Sequence, residues 1–325
     1  MALMYTDSTG TLQGILRDIS FDADIGDGND FLLTVPKRDF AILGKGCRVF
    51  DSESPSFGGM VDGVEVNTEA DTVSFTGATW QGLLSRKVIC PPEGQAYKII
   101  TGSTIYIMGT LVEELGLDSL FYVYGYNPDT PGEGGSYQFN RYVTLLDGLT
   151  DLLKNRGGLV LSAEYEASAK KVKLTAQPPR DLTDTQSFIR SSFNYRIGKQ
   201  FQPINHMICL GKGELTERTI IDLYLHANGT IDYTQQFSGA DEVTYVYENT
   251  SAETPEALER FARKKFAELI RPSIEVFVSQ GTEYQVGDIV GGYEPLTKTQ
   301  ATATITSLIL QIDGDKKTIS YKTKG

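Results

Sequence analysis

Histidine and cysteine are scarce in this chain of 325 residues, which has two of the first and three of the second. Cys47, Cys90 and Cys209 are widely spaced and odd in number, which excludes a disulfide framework and a CxxC metal site. They read as buried thiols. His206 and His226 leave little material for acid–base chemistry, and there is no HExxH, no GxSxG and no Cys–His metal spacing. No apolar run reaches the roughly 18 residues of a membrane helix. The start, Met1-Ala-Leu-Met-Tyr-Thr-Asp, has neither a basic flank nor an apolar signal core. The expectation is a chain made and kept in the cytosol until something else carries it out. Basic charge is also in deficit: 30 Lys and Arg against 42 Asp and Glu leave a net −12. This excludes wrapping of nucleic acid, which needs clustered cations, and suits a surface that repels DNA.

Glycine is plentiful, at 33 residues. With the Thr, Tyr and Val content it favours a β-rich chain with many turns, and the length suggests two or three folding units. From Thr11 to Thr79 the pattern predicts short strands at Gly14 to Phe21, Phe31 to Val35, Met60 to Val66 and Thr72 to Thr76. Between the first two, Asp22 to Asp30 resembles a calcium loop but fails its spacing: Gly26 replaces the third acidic ligand and no Glu stands twelfth. A turn with solvated acids is the better reading. Trp80, Leu83, Leu84 and Lys87 then stand at helical spacing before Pro91-Pro92, so a short helix is expected, with Trp80 packed or anchoring a subunit contact.

The next hundred residues change character. Ile107, Leu111 and Leu115 predict a helix from Ser103 to Gly116, and Leu145, Leu146, Leu149, Leu152 and Leu153 one from Tyr142 to Arg156, ended by Gly157-Gly158. Leu159 to Tyr165 and Lys171 to Ala176 read as a hairpin. The glycine-rich Asn127 to Gly135 is exposed turn chemistry, with no Lys-Ser or Lys-Thr pair to make it a phosphate loop. Gln177-Pro-Pro-Arg-Asp181 is the linker candidate. Strands resume at Phe193 to Ile197, Asn205 to Leu210, Glu217 to Leu225 and Glu242 to Tyr247. Thr254 and Pro255 then open the strongest helix, with Leu258, Phe261, Ala262, Phe266 and Leu269 as its buried stripe and Pro272 as its stop.

The closing residues carry the densest strand pattern. Ala301, Ala303 and Ile305 face one way and Thr302, Thr304 and Thr306 the other, after which Leu308, Leu310 and Ile312 continue the core face on even numbers. A β-bulge near Thr306-Ser307 accounts for the switch. A turn from Asp313 to Lys316 sets Leu310 against Ile319 and Leu308 against Tyr321. These strands are expected to pack on the long helix or its neighbours.

No reactive constellation stands out. His206 and Cys209 lie on opposite faces of one strand and cannot share a proton, so His206 reads as a hydrogen-bonded structural residue and His226, before Ala-Asn-Gly229, as exposed. The acid pairs Glu113-Glu114, Asp181 with Asp184, and Asp241-Glu242 read as solvated surface. Asp288, after Gly287, is placed to close a turn.

Several segments together resemble the hub proteins of long-tailed phage and prophage tails. They are Asn205-His-Met-Ile-Cys-Leu-Gly-Lys-Gly-Glu214, Thr219-Ile-Ile-Asp-Leu-Tyr224, Phe237-Ser-Gly239, Tyr284-Gln-Val-Gly-Asp-Ile-Val-Gly-Gly292 and Ile319-Ser-Tyr-Lys322. Upstream, Gly77-Ala-Thr-Trp-Gln-Gly-Leu-Leu83 with Pro91-Pro92, and Arg141-Tyr-Val-Thr-Leu-Leu146, follow in the same order. The positions that carry the likeness are Trp80, Gly82, Asn205, Gly211, Gly213, Gly287 and Asp288, all structural. The resemblance implies a β-rich α+β fold: a tube-like β-barrel domain over 1–90, an inserted α/β domain over 91–190, and a second tube-like barrel over 191–325 with a helix at 254–271. It implies a homotrimeric ring in the virion tail, at the tail tip or baseplate of a phage or related particle, assembled in the host cytoplasm. That ring would join a sixfold tail tube or distal tail protein to a threefold tip spike or fibre, with DNA passing an acidic lumen unbound, and with neither cofactor, metal nor catalysis. The competing readings are a tail-tip cell-wall hydrolase (peptidase or glycosidase) and a host-glycan binding module suggested by 17 Tyr and 15 Phe. Longer relatives carry a wall hydrolase after the hub, and none is expected in a chain that ends at Gly325.

Overall fold

The computed structural model describes residues 3–183, 193–198, 200–270, 273–278, 284–294, 296, 298–314 and 316–324. The first strands are β1 (Leu3–Thr6), β2 (Leu12–Leu16), β3 (Ser20–Ile25), β4 (Asp30–Pro36), β5 (Arg48–Asp51), β6 (Gly58–Asn67) and β7 (Thr72–Thr79). Helix α1 (Trp80–Ser85) leads to β8 (Val88–Ile89), β9 (Ile99–Thr101), α2 (Thr104–Glu114), β10 (Phe121–Val123), β11 (Ser136–Gln138), β12 (Val143–Thr144) and α3 (Leu145–Asn155). Then come β13 (Val160–Glu166), β14 (Lys171–Gln177), β15 (Phe193–Gly198), β16 (His206–Leu210), β17 (Ile220–Leu225), β18 (Ile231–Asp232) and β19 (Thr244–Glu248). Helix α4 (Pro255–Leu269) precedes β20 (Ser273–Val278), β21 (Ile289–Glu294), β22 (Thr299–Asp313) and β23 (Lys316–Lys324).

The chain divides into two units. The first holds Met1–Tyr195, Val276–Gly292 and Thr302–Lys324, and the second Arg196–Glu275 with Tyr293–Ala301. The first is built on a sheet of ten strands in the order β2-β1-β5-β6-β7-β4-β3-β22-β21, with β23 beside β22. One row across it reads Ile312, Phe21, Leu33, Phe75, and the next Leu310, Ala23, Phe31, Gly77. All the side chains in these two rows are at most 4% exposed. Gly77 is needed where Phe31 lies across the strand, since a Cβ there would come within 2.6 Å of the ring. Each buried Phe or Leu of this face contributes about 2 kcal/mol of transfer free energy.

The bulge lies where the change of parity predicts it. Ile305 faces Thr323 and Ser307 faces Lys322, so Thr306 is the extra residue, and Leu310 meets Ile319 and Leu308 meets Tyr321. Gly26, at φ +111°, sits against this bulge, where a Cβ would meet the Thr306 carbonyl at 2.2 Å. The partner of the closing strands differs from expectation. β22 pairs along β3, from Leu308 with Ile25 to Asp313 with Ser20, and its even-numbered apolar face completes the core of the N-terminal sheet. Among the described residues the sheet does not close into a barrel: β2 stands at one end of its order and β21 at the other.

The stretch between residues 91 and 190 shares its core with what precedes it. Phe50, Ala78 and Trp80 pack in one cluster with Leu111 of α2, Leu149 and Leu152 of α3 and Val172 of β14. The contacts therefore place no division at 90, and the boundary expected at 190 lies outside the described residues. Caps set the helices: Thr79, Ser103 and Thr144 each accept a hydrogen bond from the amide three residues on. The expected single strand from Gly14 to Phe21 is broken into β2 and β3, with Asp18 at φ +53° between them.

The second unit is smaller. β18, β17, β16 and β19 form a four-stranded sheet, with β16 and β19 parallel. α4 covers one face of it, where Leu258, Ala262 and Phe266 join Met207, Cys209 and Leu223. Thr254 caps the helix and Pro255 is its first residue, as the sequence predicts. Phe261 departs from the predicted stripe: it is 42% exposed, with the Arg260 guanidinium 5.2 Å from its ring centre. Spaced three residues after Leu258 but beside Ala262, it falls on the margin of the buried arc.

Candidate functional site

The first unit contains a cleft of about 290 Å³, lined by residues that include Tyr284, Tyr321, Glu53, Glu164, Gln81 and Leu161. Its floor is built by the Tyr pair, whose rings meet edge to face with centres 5.3 Å apart. Below the Tyr284 turn lies a polar knot. Arg180 donates through Nε to Asp288 Oδ1 at 3.0 Å and through its second amino group to Oδ2, and the Gln285 amide donates to Oδ2 at 2.7 Å. The Asp288 carboxylate is the main cause holding the Arg180 guanidinium above its ordinary range, against partial desolvation that lowers it. The backbone joins in, with Ile289 N donating to Arg180 O and Leu182 N to Ile289 O. Gln177 to Asp181, predicted as a linker, is thus tied by side chain and backbone to the 285–289 turn, and it gains that order from partners more than a hundred residues downstream.

One wall of the cleft is the outer edge of β13. This strand ends a three-stranded sheet, β10-β14-β13, and has β14 on one side only. Tyr165 N donates to Pro55 O at 3.1 Å, away from β14. Residues alternate along an antiparallel ladder, so Leu161 and Ala163 also turn their N–H and C=O away from β14. The far side of β14 agrees: Val172 N donates to Leu120 O, and Leu174 O accepts from Tyr124 N. Pro55 O also accepts from Trp80 Nε1 at 3.1 Å, and Trp80 stacks on Tyr165 at 5.3 Å. Among the described residues no partner takes the outward N–H and C=O of Leu161 or Ala163, although Ala163 is only 4% exposed.

The residues singled out by resemblance are spread through both units and do not converge. Trp80 is 1% exposed at the start of α1, and a Cβ on Gly82 would meet Asn29 O at 2.0 Å. Asn205, 6% exposed, donates through Nδ2 to Asp241 O at 2.7 Å and accepts from Val243 N at 2.9 Å, fixing the segment before β19 to the start of β16. Gly211 abuts α4, where a Cβ would lie 2.9 Å from Leu258 Cδ2, and Gly213 takes φ +106° against Glu217. Gly287, at φ +94°, is pressed by Val160, and Asp288 is the centre of the knot beside the cleft. The cleft itself was not foreseen. Its only trace in the sequence is the hairpin from Leu159 to Ala176, and nothing in a sequence says which edge of a hairpin remains open.

In the second unit His206 is held between two carboxylates. Its Nδ1 lies 2.7 Å from Glu242 Oε1 and its Nε2 2.9 Å from Asp222 Oδ1, with the ring stacked on Tyr224 at 4.4 Å. Both contacts are hydrogen bonds only when both ring nitrogens carry protons. Its strand neighbours Met207 and Cys209 point into the core. Burial, with Asp222 and Glu259 nearby, pushes the Cys209 thiol up to about 11, where it is no nucleophile at neutral pH. His226, expected to be exposed, is more enclosed: Nε2 lies 2.8 Å from Thr234 O and 3.0 Å from Asp232. Among the described residues no three His, Cys, Asp or Glu are grouped to hold a metal ion. Among the described residues no helix is long and apolar enough to cross a membrane. Trp80, Phe21, Phe75, Phe121, Phe139 and Phe266 are buried in the cores, while Tyr97, Tyr124, Tyr142, Tyr233 and Phe201 are exposed.

No family model matches the sequence, and no curated protein matches it. Solved structures do. A 43 kDa tail protein of prophage MuSo2 from Shewanella oneidensis aligns over 99% of this chain and 98% of its own, with a TM-score of 0.55 and 14% identity. A prophage tail protein of Listeria monocytogenes EGD-e covers 100% and 95%, with a TM-score of 0.54 and 11% identity. The chain has the fold of phage tail proteins. A tail protein of Neisseria meningitidis MC58 extends the tail-protein fold to a third case, with 100% and 96% coverage, a TM-score of 0.53 and 13% identity. At such identities the likeness resides in backbone topology.

Proposed function

We propose that this chain is a structural hub of a phage tail or phage-tail-like particle, a homotrimeric ring at the tail tip without catalytic activity. The observation that carries the reading is the alignment to tail proteins along nearly the whole of both chains. The ring would sit on a sixfold tail tube or distal tail protein and present a threefold face to a tip spike or fibre, assembling in the host cytoplasm before entering the virion tail. Two tube-like domains per chain supply the six positions. The pairing of β22 with β3 supports an arrangement in which the chain's last strands complete the first of these, and residues 91–190 are the part added to the tube. A net charge of −12 supports an acidic lumen that DNA crosses without adhering, and a ring with a neutral or basic lumen removes that element.

The deciding measurement is the mass of the purified chain in solution, alone and mixed with tail tube protein. A trimer that joins the tube protein is expected. A persistent monomer that never enters a ring overturns the hub reading, and wall degradation by the purified chain would replace it with the hydrolase.

A further inference from the structure

We propose that Asn228 is a site of spontaneous modification, where the chain loses a side-chain amide and gains a charge through the peptide nitrogen of Gly229. Asn228 and Gly229 lie in the exposed turn between β17 and β18, where His226 N donates to Thr230 O at 2.8 Å. The Asn228 Oδ1 accepts from Thr230 N at 3.0 Å and from Thr230 Oγ1 at 2.7 Å. Such a turn lays the carboxamide over the peptide that follows it, whose nitrogen is that of Gly229. The step is attack of Gly229 N on Asn228 Cγ. A bond forms between them, the Cγ–Nδ2 bond breaks, and the proton of Gly229 N passes through water to Nδ2, which leaves as ammonia. Water then opens the cyclic imide at either carbonyl, giving aspartate or isoaspartate. Negative charge develops on Oδ1 during the attack, and the two Thr230 donors already point at that atom.

Other asparagines have the same local geometry and the wrong neighbour. Asn67 is exposed and its Oδ1 accepts from Glu69 N at 3.0 Å and Ala70 N at 2.9 Å, but Thr68 follows, with a branched Cβ beside the attacking nitrogen. The Asn127 Oδ1 accepts from Asp129 N at 3.0 Å, but Pro128 follows, whose nitrogen carries no proton to lose. Asn228 is the only asparagine followed by glycine. Gly229 takes φ +85°, and a Cβ built on it would have nothing within 4 Å, so neither bulk nor a neighbour screens its nitrogen. One contact opposes the attack. Gly229 N donates to His226 O at 2.9 Å, and opening that bond slows the folded chain about tenfold against a free peptide of the same sequence. The aspartate product keeps both Thr230 donors, since a carboxylate accepts where the amide oxygen did. The isoaspartate product routes the main chain through Cγ and breaks the pairing of His226 with Thr230. Either adds one negative charge to the net −12.

The test incubates the full chain in mildly alkaline heavy-oxygen water, beside an acetylated, amidated peptide of residues 224–232. Both are mapped by mass spectrometry, with electron-transfer fragmentation to tell isoaspartate from aspartate. Residue 228 is expected to take up solvent oxygen and to yield both products, while Asn67 and Asn127 stay unchanged. Thr230→Val removes the hydroxyl donor and is expected to slow the conversion about tenfold, and Thr230→Ser, which keeps the hydroxyl, restores it. An unchanged far-ultraviolet signal in both variants controls for loss of fold. An amide still intact at 228 after about a hundred half-times of the peptide, when a tenfold slowing leaves almost none, overturns the proposal. Aspartate without isoaspartate overturns the imide route, and conversion of Asn67 at an equal rate overturns the part given to Gly229. Thr230→Val reacting as fast as the unchanged chain overturns the positioning role of Thr230. The readout needs no ring, so failure here and failure of the hub reading are separate results.

Discussion

The two units are built in opposite ways. The second draws its core from Met207 to Phe266, a local run of strands closed by one amphipathic helix. The first spans nearly the whole chain: Ile25 and Leu308 are neighbours in one sheet although they stand 283 positions apart. Loop closure of that kind is entropically expensive and slow, so the first unit cannot be complete until the last strands arrive, while the second draws its core from the local run Met207 to Phe266. A sequence reader can infer partners that lie close along the chain, as for β22 with β23, but not the pairing of β22 with β3.

Core deletions should separate the units most strongly. Leu310→Ala removes a fully buried side chain from the row it shares with Ala23 and is expected to cost about 2–5 kcal/mol. Trp80, the only tryptophan, belongs to the first unit, so its fluorescence midpoint in urea should fall. Phe266→Ala, of comparable cost, should leave the Trp80 transition where it is and lower the far-ultraviolet signal of the second unit. If both substitutions move Trp80 equally, the units do not unfold independently.

Next in size is Asp288→Ala. It strips the acceptor from Arg180 and from the Gln285 amide, for about 2 kcal/mol, because Arg180 is half exposed and water takes up part of the loss. It too should act on Trp80 and not on the second unit.

The smallest effect is a titration. The Tyr122 hydroxyl donates to Glu166, and that bond, followed by burial, pushes the phenol up to about 12. A phenol raised in the folded state favours folding below its ordinary value near 10 and loses that contribution as pH rises towards 12. Tyr122→Phe should therefore flatten the alkaline loss of first-unit stability between about pH 10 and 12. An unchanged alkaline profile would show that the Glu166 bond is not made in solution.

How much of this was legible follows from distance along the chain. The bulge at Thr306, the facing of Leu310 and Ile319, the caps at Thr79, Ser103, Thr144 and Thr254, and the opposite faces of His206 and Cys209 were readable because each depends on residues within about twenty positions. The pairing of β22 with β3 was not, since an apolar strand face carries no address. β1 and β5 were missed because at four residues each they are too short to show a period. The cleft was invisible for a third reason: it is defined by backbone groups left without partners, and every residue has the same backbone.

The central claim, that the chain's end belongs to its beginning, is tested most directly by native-state hydrogen exchange with increasing urea. The account predicts that amides of 308–312 and 21–25 open together, at the same free energy and with the same urea dependence, separately from those of 206–210 and 220–225. If the amides of 308–312 instead open with those of 206–210, the closing strands belong to the second unit and the account is wrong.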